Sequence, residues 1–132
     1  MLRKAECCCR SVAIEVEGDP TIHAVCHCEN CKRRTGSAFG ISAYFMDSAI
    51  IRISGKAKSY EFESKSSATR QTRHFCETCG TTLYWKISTL PNLTAIAGGC
   101  FTETPLGEPK QTVSNENRCS WVKLPESWKD SW

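Results

Sequence analysis

Eight of the ten cysteines in this 132-residue chain fall into three clusters, and the spacings are those of metal ligands. The densest is Cys26-His27-Cys28-Glu29-Asn30-Cys31, a C-x-C-x-x-C run that puts three thiols within six residues. Such a tripod can hold one ion without help from elsewhere in the chain. His27 is either a fourth ligand or a packing and supporting residue; in extended backbone it points opposite Cys26 and Cys28. A second cluster, Phe75-Cys76-Glu77-Thr78-Cys79-Gly80, has the C-x-x-C-G form of a zinc knuckle, with glycine supplying the backbone freedom of a tight turn. A redox C-x-x-C wants a helix after the motif, whereas Thr81-Thr82-Leu83-Tyr84-Trp85 reads as a strand. The third cluster, Cys7-Cys8-Cys9, is the weakest signal, since three small buried hydrophobes would look the same. In extended backbone Cys7 and Cys9 share a face and Cys8 takes the other. Two sulfurs on one zinc lie about 3.8 Å apart, for Zn–S of about 2.3 Å, and a same-face pair can reach that spacing.

Counting ligands divides the clusters into two sites of different kind. Cys7 and Cys9 with Cys76 and Cys79 complete a four-thiolate site, the closed structural type, clipping the N-terminal segment to a hairpin far along the chain. Cys26, Cys28 and Cys31 leave one coordination position open, the pattern of catalytic centres, unless Cys100 or Cys119 closes it. The familiar iron–sulfur spacings do not match, so the expected metal is zinc, two ions per chain. Three thiolates weaken zinc as a Lewis acid, which suits it less to making hydroxide than to binding an exogenous thiol as thiolate. A thiolate so held can add to a small carbonyl, and the reverse of that step is carbon–sulfur lysis.

Metal binding rather than disulfide formation presupposes a reducing compartment. The N-terminus, Met1-Leu2-Arg3-Lys4-Ala5-Glu6, has no apolar core of a secretory signal, and the apolar stretch Ala38 to Met46 is too short to span a bilayer. A cytoplasmic location is the expectation. The formal charge of +3 vanishes once seven cysteines are thiolates around two divalent ions, so counterion-driven nucleic-acid binding is not expected.

The elements that must position these residues are short and β-rich. Hydrophobic residues at 40% and charged residues at 23% are ordinary globular values, and at about 150 residues per domain the chain is one domain, residues 1–132. Ser11 to Glu17 alternates Val12, Ile14 and Val16 against Glu15 and Glu17. Similar runs are Thr21 to Cys26, Phe39 to Met46, Ala49 to Ser54, Lys58 to Glu63, Gln71 to Cys76, Thr81 to Ile87 and Leu93 to Ala97. Turn signals such as Gly18-Asp19-Pro20 and Ser54-Gly55-Lys56 separate them, which predicts packed antiparallel sheets. One helical turn is expected, Glu29 to Thr35, closed by Gly36. Three of the four tryptophans, Trp121, Trp128 and Trp132, lie in the tail, where they either cover an open edge of the core or form a partner patch.

The ordered motifs together resemble the glutathione-dependent formaldehyde-activating enzyme family, also called the GFA or centromere-protein-V domain. The resemblance is carried by Cys7-Cys8-Cys9, by Cys26-His27-Cys28-Glu29-Asn30-Cys31, by Thr35-Gly36-Ser37 and by Phe75-Cys76-Glu77-Thr78-Cys79-Gly80-Thr81, and runs from Cys7 to about Gly99. It implies a β-rich, Mss4-like fold carrying two zincs. Cys7, Cys9, Cys76 and Cys79 would hold the structural ion, and Cys26, Cys28 and Cys31 the catalytic one that binds the substrate thiol. The implied reaction is a carbon–sulfur lyase equilibrium between glutathione plus formaldehyde and S-hydroxymethylglutathione. Two departures stand out: Arg10 replaces the glycine that often follows the first C-x-C, and no histidine lies between Pro109 and Trp121. The basic run Lys32-Arg33-Arg34 follows the last tripod ligand, and either one of its members faces the anionic substrate or the run is a solvated turn. The competing class is a zinc-stabilised interaction module without catalysis.

Overall fold

The computed structural model describes residues 1–65 and 68–131, so Trp132 lies outside the described residues. A small sheet is built from β1 (Leu2–Glu6), β2 (Ala13–Glu17) and β5 (Ile50–Ser54), in the order β1-β2-β5. The remaining strands are β3 (Ile22–Cys26), β4 (Gly40–Met46), β6 (Ala57–Ser64), β7 (Thr69–Cys76), β8 (Thr82–Ile87), β9 (Leu93–Ala97), β10 (Gln111–Val113) and β11 (Lys129–Ser131). They form a large sheet in the order β11-β10-β3-β4-β9-β8-β7-β6. The fold is thus mainly β, as the alternating runs predict, but the large sheet is mixed. β10 runs parallel to both β3 and β11, because the chain returns to the β3 edge after a long excursion rather than through a hairpin.

The two sheets enclose the main core. From the small sheet and its approach come Ala5, Val12, Ile14 and Val16, and from the large sheet Ala43, Phe45, Leu83 and Ile96. Cys7 and Cys76 are members of this same cluster. The opposite face of the large sheet carries Tyr44, Trp85, Ala95 and Ala97. In β4 strict alternation sends Ala43 and Phe45 to one face and Tyr44 to the other. In β8 a register shift against β7, between His74 and Phe75, resets the alternation, so Leu83 fills the inter-sheet core while Trp85 turns to the far face. That far face becomes the floor of the cleft described below.

The α-helix α1 (Glu29–Thr35) has the predicted limits. Cys28 caps its start by accepting from the Cys31 N–H, and Gly36 closes it in the left-handed conformation, φ 64°. No residue of α1 is buried, so it is held by its ends and not by a packed face. No helix among the described residues is long and apolar enough to cross a membrane. In the tail, Trp121 departs from the expectation of an edge cover. Trp121 is 71% exposed and covers no core, while Trp128 is half-buried and lines a pocket together with Thr112 of β10 and Val122 and Leu124 of the tail.

Candidate metal centres

Cys7 and Cys9 stand in the turn that follows β1, and Cys76 and Cys79 flank the turn that ends β7. The four sulfurs lie within 4.8 Å of one another. Cys9 Sγ is 3.7 Å from Cys7 Sγ and 3.6 Å from Cys76 Sγ. A disulfide would bring sulfurs to about 2.05 Å, whereas a tetrahedral zinc sets them about 3.8 Å apart. None of the ten cysteines forms a disulfide.

The surroundings are built for thiolates. The Val12 N–H donates to Cys7 Sγ at 3.3 Å and the Thr78 N–H to Cys76 Sγ at 3.3 Å. The Ser11 hydroxyl lies 3.0 Å from Cys9 Sγ and 3.2 Å from Cys76 Sγ, and the Thr81 hydroxyl 3.2 Å from Cys79 Sγ. The Ser11 contact first, with backbone donors, brings the Cys76 thiol down to about 7, and the Thr81 hydroxyl brings Cys79 down to about 5. Burial pushes Cys7 up. This set fits a thiophilic divalent ion, which would supply the positive charge that the buried members need.

The route by which Cys7 and Cys9 converge differs from the expectation of a strand. The segment is a turn, closed by Arg10 N–H donating to the Cys7 carbonyl at 2.9 Å, with Arg10 at φ 66°. Cys8 still falls outside the four-sulfur set, exposed to solvent, but through the turn and not through strand alternation. The left-handed conformation at Arg10 explains why glycine suits this position. It costs an L-residue about 1–2 kcal/mol, from which the larger entropy of an unfolded glycine subtracts part. The exposed Arg10–Glu103 pair, at 3.8 Å, offsets little. Arg10→Gly is therefore expected to raise stability by about 0.5–1 kcal/mol, read as a higher urea midpoint at unchanged metal content.

The three-cysteine cluster sits where β3 runs into α1. Cys26 ends β3, paired to Gly40 of β4 on one side and Val113 of β10 on the other. Cys28 is the helix cap and Cys31 lies in the first turn of α1, so a seven-residue helix folds the three sulfurs to within 4.8 Å of each other. Contacts from Cys26 and then Cys31 hold the Cys28 thiol down to about 2, and the same cluster pushes Cys31 and Cys26 up. One thiolate shared among three sulfurs is a donor set that fits a metal ion.

Among the described residues no fourth Cys, His, Asp or Glu joins this trio. Cys100 lies in the short 3-10 turn Gly98–Cys100 and faces a different pocket, with burial pushing its thiol up to about 11. Cys119 is likewise outside both clusters. His27 is fully buried and turned away from the sulfurs: its Nε2 lies 3.1 Å from Thr112 Oγ1, and the Thr112 hydroxyl donates to Asn115 Oδ1 at 2.7 Å. The packing role holds for His27, and burial lowers its pKa.

The trio opens into a cleft of about 560 Å³ on the far face of the large sheet. Its floor is laid by alternate residues of neighbouring strands, Ser42 and Tyr44 of β4, Gln71 and Arg73 of β7, Trp85 of β8, and α1 adds Arg34 at the rim. The members of the basic run therefore divide. Arg34 lies 4.3 Å above the Trp85 ring, Lys32 donates to the Asn117 carbonyl at 2.6 Å, and Arg33 pairs on the surface with Glu29. Arg73, Gln71, Tyr44 and Trp85 were invisible to motif reading, because one face of a central strand carries no local signature of the cleft above it. Their period-2 placement in β7, at Gln71 and Arg73, was the only available signal.

A family model described as glutathione-dependent formaldehyde-activating enzyme matches residues 2–118 of the chain. A crystal structure of a protein from Rhodobacter sphaeroides is similar in fold, with a TM-score of 0.59 and 25% sequence identity, covering 75% of this chain and 87% of that one. No curated protein sequence matches the chain significantly.

Proposed function

This chain belongs to the glutathione-dependent formaldehyde-activating family, and we propose that it forms and cleaves S-hydroxymethyl adducts of a small thiol, with glutathione the first candidate. The observation that carries the proposal is the open trio: Cys26, Cys28 and Cys31 line a cleft large enough for a small-molecule ligand. We assign zinc to both cysteine clusters, with Cys7, Cys9, Cys76 and Cys79 structural. Zinc at Cys26, Cys28 and Cys31 would supply a fourth coordination position in which a substrate thiol loses its proton and becomes the nucleophile.

The reaction balances without any oxidant or reductant. The thiol sulfur bonds to the carbonyl carbon, the carbon–oxygen π bond breaks, and the proton given up by sulfur ends on the new hydroxyl; lysis runs the same steps backwards. The chain's own part is to bind and to exclude water. Trp85 and Tyr44 give the cleft an apolar wall, and burial keeps the Tyr44 hydroxyl protonated, pushed up to about 12, as a neutral donor beside the trio. A zinc-stabilised interaction module would have its second site closed by Cys100 or Cys119, and neither sulfur reaches it.

Metal content and catalysis test this reading together. Elemental analysis is expected to approach two zincs per chain, with the trio the more easily stripped site. With ¹³C-formaldehyde and glutathione, exchange spectroscopy is expected to show adduct interconversion well above the uncatalysed rate. Iron, or disulfide-linked protein without metal, would overturn the metal assignment. Two zincs with exchange no faster than in buffer would make the interaction module the better reading.

A further inference from the structure

Two guanidinium groups face the cleft, and neither has an acidic partner among the described residues. The Arg34 guanidinium carbon lies 4.3 Å from the centre of the Trp85 ring, and that of Arg73 lies 4.6 Å from the centre of the Phe62 ring. A cation–π contact holds a guanidinium in place without using its N–H groups as hydrogen-bond donors. Arg34 Nη2 and Arg73 Nε are buried atoms with no hydrogen-bond partner, and so is Gln71 Oε1 beside them. An unmet buried donor costs on the order of 1–3 kcal/mol, more when charged, and two like charges sharing a cleft add repulsion. Arg34, Cys28 and Cys31 line the same cleft as Arg73. With a divalent ion, the three thiolates carry one net negative charge, too little to balance two guanidiniums. The backbone also makes room for this arrangement: a side-chain carbon at Gly40 would stand 2.5 Å from Arg34 Nη2, so the guanidinium rests where glycine leaves space.

We infer that Arg34 and Arg73 form an anion clamp for a carboxylate carried by the thiol ligand, which makes this site selective for thiol acids over neutral and cationic thiols. The inference rests on the proposed function, since the clamp lies in the cleft onto which the trio opens. It adds what that reading lacks, the residues that select the substrate. A carboxylate accepts two N–H bonds from one guanidinium or bridges two, and the remaining N–H groups of Arg34 and Arg73, on side chains that line the cleft, are the donors it would use.

The test uses full-length cobalt-substituted protein and four thiols of graded charge: glutathione, 3-mercaptopropionate, 2-mercaptoethanol and cysteamine. The sulfur-to-cobalt charge-transfer band reports each titration. Wild type is expected to bind the two anionic thiols at least tenfold more tightly than 2-mercaptoethanol, and cysteamine most weakly. Arg73→Gln and Arg34→Gln are each expected to lose about tenfold or more for the anionic thiols and less than twofold for 2-mercaptoethanol. Circular dichroism checks folding; Arg34→Lys and Arg73→Lys keep stem and charge, and stand in if a glutamine variant does not fold. They are expected to recover part of the selectivity, because an ammonium keeps the charge and loses the fork. Equal loss for neutral and anionic thiols, or no charge preference in wild type, overturns the clamp and leaves the thiol reading standing. Should no thiol move the band, calorimetry with S-methylglutathione separates the two ideas, for it keeps the carboxylates and lacks the thiol. Binding that disappears in Arg73→Gln keeps the clamp and removes only the thiol reading; no binding removes both.

Discussion

Cys76→Ser is expected to leave the protein unfolded or insoluble, and Cys9→Ser to do the same, while Cys8→Ser changes little. The four-sulfur set ties the turn after β1 to the turn after β7, two segments from different sheets. Structural zinc binding is worth on the order of 10 kcal/mol or more, and because the site exists only in the folded chain that energy is also folding energy. A domain's whole stability is about 5–15 kcal/mol. Removing one of four ligands therefore consumes most of the margin. Cys76 carries a second penalty, since its side chain is part of the inter-sheet core and a hydroxyl would replace sulfur there. Cys8 is the internal control, being adjacent in sequence, exposed, and absent from the sulfur set. Soluble yield, circular dichroism and zinc content of the three variants decide the matter. Equal sensitivity at Cys8 and Cys9 would mean that the segment matters for its packing and not for its sulfurs.

What could be read in advance followed from local rules. The helix Glu29–Thr35 was legible because a short polar run ends at Gly36, both signals lying within a few residues, whereas the Cys28 cap emerges only in the structure. Strand β9, Leu93–Ala97, was legible from its apolar run bounded by Pro91-Asn92 and Gly98-Gly99. Strand β1 was not, since Leu-Arg-Lys-Ala-Glu pairs only with β2 at a sheet edge and shows one buried side chain, Ala5. Strands β10 and β11, three residues each, take their existence from the β3 edge they join in parallel, a long-range event without a local pattern. The same division holds in the site. The seven cysteines of the two sulfur clusters announce themselves by spacing. Ser11, which places its hydroxyl between Cys9 and Cys76, and Arg73, which enters the cleft from the middle of β7, depend on tertiary placement and carry no spacing to read.

Cys28→Ser, in contrast with Cys76→Ser, is expected to stay folded with near-native circular dichroism, to lose about one metal ion per chain, and to lose its response to glutathione. Two structural facts support this. The trio lies within one short segment, so an ion there ties together little chain beyond a single turn, and α1 buries no side chain whose loss would open a core. Cys28 also serves as the helix cap, accepting from the Cys31 N–H at 3.4 Å, and serine is among the best residues for that role. The substitution thus removes one sulfur of the trio while keeping the cap, and the expected change in stability is below about 1 kcal/mol. In cobalt-substituted wild type, glutathione joining three cysteine sulfurs should strengthen the sulfur-to-cobalt charge-transfer band; the Cys28→Ser protein should hold cobalt only in the four-cysteine site, and its band should not move. Wild type that ignores millimolar glutathione would show a trio closed to exogenous thiols. A Cys28→Ser protein that unfolds like Cys76→Ser would show that the ion at the trio holds the β3–α1 junction in place, and the site would then be structural in spite of its open position.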